Sequence, residues 1–441
     1  MTKVRIAILF MLSFCSALSV VWGFAVESAA RGIIVDFKVV YLGARCLLQK
    51  HDPYSENQMM RVYLDEGGKP PSNPAELNQV RQIVALLVYF PTALLYIAPF
   101  AMLPFGAAHV LWSGLTVAVV TLAAFLMWIL AQHRVPNAAF YLACFVLANS
   151  GILFAGGNPA GLAIGLCLVA VWCFLEQKHV YLAIFCFAVS LALKPHDTGF
   201  VWLYFLLAGG LLRKRALQTL ALAVVLGLPA ILWVHHVSPR WIHELAGNLA
   251  STAVPGGITD PGPSSMGGTG GGMIIDLQTV ISLFRNDPAF YNPITYMIFG
   301  LLLLVWIIVV LRSSHTAPNH YLALAAIAAL SMLPVYHRPH DAKLLLLTLP
   351  ACAVLASQGG AIGRIAVVLN SAAIVLTSDL PLGMLALITK DLQATWKTLL
   401  FGRPMPLILL ALGVFYLWAY ARQSLRPSIT ITPEADPCSS L

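Results

Sequence analysis

Residues Arg31–Tyr54 read RGIIVDFKVVYLGARCLLQKHDPY, and the apolar part of that stretch carries one acidic residue, Asp36. Drawn as a helix, Ile33, Ile34, Phe37, Tyr41 and Ala44 share one face, with Lys38 and Arg45 off it. That is the pattern of an amphipathic helix lying at a membrane surface. Asp36 then sits where a preceding apolar span meets water. Position alone favours a plainer role for it, the end of a span beside the positive N-terminus of the next helix. The surrounding chain reverses that preference.

Of the 441 residues, 59% are hydrophobic and only 10% charged, with a mean hydropathy of +0.82. Soluble domains carry roughly a quarter charged residues, so these values predict an all-α polytopic membrane protein. The net charge of +8 needs no nucleic acid, because Lys and Arg fall in short loops as the positive-inside rule requires. The cysteines are scattered, most of them in apolar runs, without CxxC or Cys/His spacing. Neither a disulfide framework nor a zinc site is expected from that arrangement. MTKVR followed by Ile6–Val26 reads as an uncleaved signal-anchor with its basic end in the cytoplasm.

The chain predicts a single membrane domain over 1–441 with about 11–13 spans. A first external segment, 27–82, holds the Asp36 helix, HDPYSEN and the polar loop EGGKPPSNP. A second, 237–292, holds RWIHELAGNLA and the glycine-rich GGTGGGM. Spans are expected near 83–104, 107–130, 138–156, 159–175, 179–193, 198–212, 216–236, 293–312, 319–336, 342–357, 361–378 and 404–421. Leu380–Lys397 is weaker and reads as interfacial, and 422–441 as a cytoplasmic tail. With Arg213-Lys214-Arg215 inside, the spans place Asp36, Asn158, Lys194–Asp197 and His337–Lys343 outside. Parity then allows only two full crossings between Arg81 and Asn158 although three apolar segments lie there. One must be broken or re-entrant, with Pro91, Pro99 and Asn149-Ser150 as the candidate breaks.

Polar residues collect in three places on one side: Asp36 with Lys38, Lys194-Pro195-His196-Asp197, and Tyr336-His337-Arg338-Pro339-His340-Asp341-Ala342-Lys343. Each alone is equally a span end with snorkelling cations. Together they form a positive external cluster, which runs against the positive-inside bias. An anion such as a phosphate, bound at the outer surface, accounts for it. The glycine-rich run at 267–272 has no following Lys-Ser/Thr and so is no phosphate-binding P-loop. A mobile lid and plain disorder are both open for it.

DFKVVYLGARCLLQKHDPY, from Asp36, resembles the first-loop motif of glycosyltransferase family 87, in the GT-C superfamily of polyprenyl-phosphate-sugar-dependent enzymes. VYFPTALLYIAPFAMLPFGAAHVLW is similar to that family's span beginning Tyr-Pro-Pro, with Phe90-Pro91 in place of paired prolines. GGNPAGLAIGL is similar to its Gly-Gln/Asn-x-Asn helix start, with Pro159 and no second Asn, and LALKPHDTGFVWLYFLL to its Leu-Lys-Pro motif. The likeness runs over most of 31–215 and returns weakly at YHRPHDAKLLLLTLP.

The resemblance implies a GT-C-like helical bundle with a catalytic carboxylate in the first external loop and a lipid-phosphate sugar as donor. By position Asp36 matches that carboxylate and would be general base toward the acceptor hydroxyl. The leaving lipid phosphate needs its charge stabilised. Lys194, Arg338 and His337 are the candidates, Lys194 best supported by the resemblance, with His196 and His340 as substitutes and Asn158 as a further substrate contact. Asp197 and Asp341 are read as partners of these cations. The implied activity is transfer of a sugar, mannose or a related one, to a lipid or glycan acceptor outside the cytoplasmic membrane. No cofactor or metal is required. A secondary transporter is the rival from another class, although its ionisable groups belong near the midplane. A lipid-linked glycan ligase or polymerase shares the basic loops but not the ordered motif set.

Overall fold

The computed structural model describes residues 3–29, 36–131, 136–263, 274–379 and 402–424. Ile33 and Ile34, the glycine-rich run 267–272, Leu380–Lys397 and the tail beyond Ser424 lie outside the described residues. Among the described ones every regular element is helical, and the chain is an all-α polytopic membrane protein.

In chain order the helices are α1 Lys3–Ala29, α2 Asp36–Leu48, α3 Glu56–Asp65, α4 Pro74–Val80, α5 Pro91–Ala101, α6 Phe105–Ala131 and α7 Pro136–Ala148. There follow α8 Gly151–Gly156, α9 Pro159–Leu175, α10 Val180–Leu193, α11 Pro195–Leu207, α12 Gly210–Val237, α13 Trp241–Thr252, α14 Gln278–Ile281 and α15 Pro288–Arg312. The last are α16 Ala317–Leu330, α17 Thr348–Gln358, α18 Gly360–Leu376 and α19 Pro404–Ser424. Six helical stretches are long and apolar enough to cross a membrane, among them α1, α6, α12, α15 and α19. Shorter apolar helices, α9, α10 and α16 included, pack between them. α1, α12 and α15 leave most of their side chains uncovered by protein, whereas Asp341–Gln358 is almost wholly enclosed. The first three therefore offer their apolar surfaces to lipid.

Four boundaries differ from the apolar runs in the sequence. The run 83–104 is not one span: Arg81–Ala85 is a π turn, 86–90 is extended and only α5 is helical. The carbonyls that this straightening frees are met from distant segments, Leu87 O by Asn248 Nδ2 at 3.1 Å and Tyr89 O by Tyr54 Oη at 2.8 Å. Such partners are what allow irregular backbone inside a membrane protein. α5 has 11 residues, about 16 Å, roughly half a hydrocarbon core. Pro91 starts it, and Pro99 sits inside it without ending it.

A second interruption, Asn149-Ser150, separates α7 from α8. Ser19 Oγ accepts from Ser150 N at 3.0 Å, and Lys343 Nζ donates to Asn149 O at 3.0 Å. Lys343 thus serves this break. The run 319–336 stops being helical at Leu330, and 342–357 begins as a 3-10 turn, Asp341–Leu347, before α17. Between them, residues 331–340 form an irregular loop pinned by Ile275 N to His337 O (2.9 Å) and Leu277 N to Leu333 O (3.0 Å).

The Asp36 helix is also not a surface helix. Phe37, Tyr41 and Ala44 are buried as the periodicity requires, but so are Val40, Leu42, Gly43, Cys46 and Leu47. α3, α5 and the start of α6 enclose it. Phe37 stacks on Trp112 with ring centroids 5.3 Å apart, Tyr41 donates to Leu103 O at 2.8 Å, and Arg45 pairs with Glu66 at 2.7 Å. The two long polar segments meet over it, since Asn248 of α13 also donates to Tyr54 O and Gln82 Nε2 donates to Ser251 O, both at 3.1 Å.

Gly157 joins α8 to α9 at φ +63°, and a Cβ there would lie 2.9 Å from Phe37 Cβ and 3.3 Å from Trp112. Both the conformation and the space demand glycine. Gly157→Ala is expected to cost about 1–3 kcal/mol, read as a lower melting temperature in detergent. Gly114→Ala, on an open face of α6, should leave stability unchanged or modestly raised.

Candidate active site

The backbone irregularities converge on one cavity of about 560 Å³. Asp36 enters from the first turn of α2, Asn158 from the N-cap of α9, and Lys194 and His196 from the α10–α11 junction. Arg338 and His340 enter from the 331–340 loop, more than 140 residues away in sequence. Pro195 at the first position of α11 ends α10 by removing a donor, which leaves Lys194 at the break between the helices and His196 in the first turn of α11.

Asn158 fixes Asp36. Its Oδ1 caps α9 by accepting from Ala160 N at 2.9 Å, which leaves Nδ2 to donate to Asp36 Oδ2, also at 2.9 Å. Among the described residues no hydrogen bond holds Asp36 Oδ1, and Asp36 lines the cavity. The charge of Asp36 acts on Arg338, His340, Tyr89 and Tyr336, all of which line the cavity.

Lys194 is the structural centre of the cluster. It is 7% exposed, with Nζ 2.5 Å from Asp341 Oδ1 and 3.2 Å from Asp197 Oδ2. Burial alone disfavours its charge, but the fields of Asp197 and Asp341 prevail and hold the ammonium well above the usual lysine range. Asp341 Oδ2 accepts from Arg338 N at 2.7 Å, and His340 Nε2 lies 3.5 Å from its Oδ1. One carboxylate therefore sets the loop that carries both Arg338 and His340. Burial outweighs Asp341 and Asp36 at His340, whose ring is pushed toward the neutral form.

The Arg338 guanidinium has a different environment. It donates to Tyr336 Oη and, at 3.3 Å, to Ile258 O. Both direct acceptors are neutral oxygens, unlike those of Lys194, and the carboxylates of Asp36 and Asp341 act on the guanidinium only through their field. His337 is not a lining residue: it is 1% exposed and lies behind the wall, its Nε2 3.4 Å from Asp197 Oδ1. His196 Nε2 approaches the same oxygen at 3.3 Å. These three side chains bring metal-ligand donor atoms within 4.8 Å of one another, a juxtaposition that linear spacing of cysteine and histidine does not contain.

Sequence reading missed Tyr89 and Gln82, and gave Tyr336 a place in the third polar cluster without a role. Burial raises the Tyr89 and Tyr336 hydroxyls above the usual tyrosine range, so both are neutral hydrogen-bonding groups at the cavity. Tyr89 stands beside Phe90-Pro91, and only the straightening of 86–90 turns it inward.

A family model, Glycosyltransferase family 87, matches residues 87–336, more than half of the chain. The match takes in Asn158, Lys194 and His196 and begins after α2, so the position of Asp36 rests on the cavity geometry. No curated protein and no solved structure gives a match.

Removing one partner of a buried ion cluster leaves uncompensated charge. Lys194→Met is expected to destabilise the protein by about 3–5 kcal/mol, seen as a large fall in melting temperature. Arg338→Met, which strands no carboxylate side chain, should melt much closer to the parent.

Proposed function

Because the chain belongs to glycosyltransferase family 87, we propose that this membrane glycosyltransferase takes its sugar from a polyprenyl phosphate and passes it to a lipid or glycan acceptor, with Asp36 as general base. The observation that carries the reading is that Asp36 and Arg338, whose guanidinium bonds directly only to neutral oxygens, line one cavity together with many apolar side chains. Val39, Ile83, Leu86, Leu193, Leu245 and Leu249 line it, and half-exposed Phe90 and Tyr296 stand among the lining residues. An amphiphile with an anionic head and an apolar tail fits that division of surface. Gln82, Thr259, Gln278 and Asn292 offer neutral amides and hydroxyls of the kind that hold sugar hydroxyls.

Chemically, Asp36 Oδ1 takes the proton of the acceptor hydroxyl as that oxygen attacks the anomeric carbon. The bond from that carbon to the phosphate oxygen breaks, its electron pair stays on the phosphate, and a single in-line displacement inverts the centre. Charge grows on the departing phosphate, where Arg338 supplies a guanidinium and neutral His340 a ring N–H. Lys194, shared by two carboxylates, acts here by holding Asp341 and through it the Arg338 loop. His196 and Asn158 bound the sugar side, Asn158 by aiming Asp36. Mannose is the sugar for which the family resemblance speaks. The reaction is placed on the outer face of the cytoplasmic membrane, with 27–82 and 237–292 outside and the whole of 1–441 acting as one domain.

Purified protein incubated with a panel of polyprenyl-phosphate sugars should release free lipid phosphate. Turnover with nucleotide sugars alone would overturn the donor assignment. Asp36→Asn should fold and bind donor while turnover falls by roughly 10²–10⁴-fold, and Asp36→Glu should also be impaired by displacement of the carboxylate. Arg338→Ala should weaken donor use by about 1.5–3 kcal/mol. Wild-type turnover in the Asn variant sinks the base assignment.

Sidedness has its own test. With native cysteines replaced, Lys69→Cys in the first polar segment should react with an impermeant thiol reagent in intact cells. Lys214→Cys should react only after permeabilisation. Both positions are exposed, and the reverse pattern removes the outer-face placement.

A further inference from the structure

The geometry points to a binding site for one divalent transition-metal ion, of the zinc class, formed by His196, Asp197 and His337 at the wall of the cavity. The argument begins with His337. Its Nδ1 lies 2.8 Å from Val335 O, a carbonyl that can only accept, so Nδ1 carries a proton. In the neutral ring Nε2 is then a lone pair. That lone pair faces Asp197 Oδ1 at 3.4 Å, where two electron-rich atoms repel unless something positive lies between them.

His337 Nε2 and Asp197 Oδ1 are buried without a hydrogen bond, at 1% and 2% residue exposure, while Asp197 Oδ2 has the 3.2 Å ion pair with Lys194. Unpaired polar atoms this deep are rare and costly. His196 Nε2 completes the group, 3.3 Å from the same Asp197 oxygen. The two separations match the edge of a tetrahedron around an ion with ligand bonds near 2.0–2.1 Å, about 3.3–3.4 Å.

The surroundings also have the arrangement that metal sites need. The His337 Nδ1–H to carbonyl bond fixes the tautomer and the ring plane, as backbone carbonyls do for metal-bound imidazoles. Lys194 holds Asp197 by Oδ2 at 3.2 Å and leaves Oδ1 to the histidines. Its ammonium opposes a second cation, but Asp197 and Asp341 together outweigh it, two carboxylates to one ammonium. Two imidazoles and one carboxylate form a donor set that suits zinc, with at least one coordination position left open. His196 is the ligand that lines the cavity, so the open position is reached from there. An oxygen of the substrate is its natural occupant; that use rests on the transfer reading, whereas ion binding rests on the ligands alone.

Full-length protein in detergent, freed of any purification tag and stripped with chelator, is titrated with cobalt(II) as the spectroscopic probe. One cobalt per chain, with a visible ligand-field band displaced by zinc, is expected. His196→Ala and His337→Gln should lose the band, and Asp36→Asn should keep it. Metal should raise the melting temperature of the parent and leave that of His196→Ala, whose side chain is 42% exposed, unchanged. No stoichiometric cobalt, or an unaltered band in both histidine variants, overturns the site and leaves protonated imidazoles as the positive element. Because the readout is metal binding, loss of the transfer reading would show separately, as undiminished turnover in Asp36→Asn.

Discussion

A lysine ammonium buried between two aspartates holds this active-site architecture together. Lys194 joins the α10–α11 junction to the start of the 3-10 turn at Asp341, and Asp341 in turn fixes the backbone of Arg338. Ion pairs of this kind contribute little net stability, because desolvation offsets the Coulomb gain. What they fix is geometry, since every alternative arrangement leaves a naked charge in an apolar interior. The two cations differ accordingly: Lys194, paired with two carboxylates, organises the junction, whereas the Arg338 guanidinium bonds directly only to neutral oxygens at the cavity.

Much of the site was legible because charge in a chain this apolar is conspicuous. Asp36, Lys194, His196, Arg338 and His340 stand out in the sequence and meet in one cavity. Asn158 was read as a substrate contact at a helix start; that it caps α9 and at the same time holds Asp36 depends on how α8 and Gly157 present it. His337 was misplaced for a different reason. Adjacent residues of an irregular loop face opposite ways, and sequence proximity to Arg338 says nothing about which side of the wall a ring occupies.

Helix boundaries were the least legible part of the fold. Residues 83–104 are mostly apolar, and parity required only that one of three segments there be broken, with Pro91, Pro99 and Asn149-Ser150 as candidates. The chain is non-helical from 86 to 90 and again at Asn149-Ser150. The groups that permit the first break, Asn248 and Tyr54, belong to other segments and carry no local signature. The same holds for Asn149-Ser150, where Ser19 and Lys343 supply the missing hydrogen bonds. In both places the irregular backbone either forms the cavity or borders what does, so the errors of periodicity mark the functional region. α2 was misjudged similarly, since one apolar stripe predicts a helix on a surface and cannot reveal that other segments close over its remaining sides.

The order in which the cavity's parts occur along the chain has a consequence for biosynthesis. Asp36 is made early, the ammonium of Lys194 midway, and Asp341 with Arg338 only after three-quarters of the protein has been synthesised. Until that late segment folds back against α10 and α11, Lys194 has one carboxylate rather than two and the cavity lacks the Arg338 guanidinium. A chain that stops short of the 331–340 loop and Asp341 therefore lacks one of the two carboxylates at Lys194 and a whole wall of the cavity.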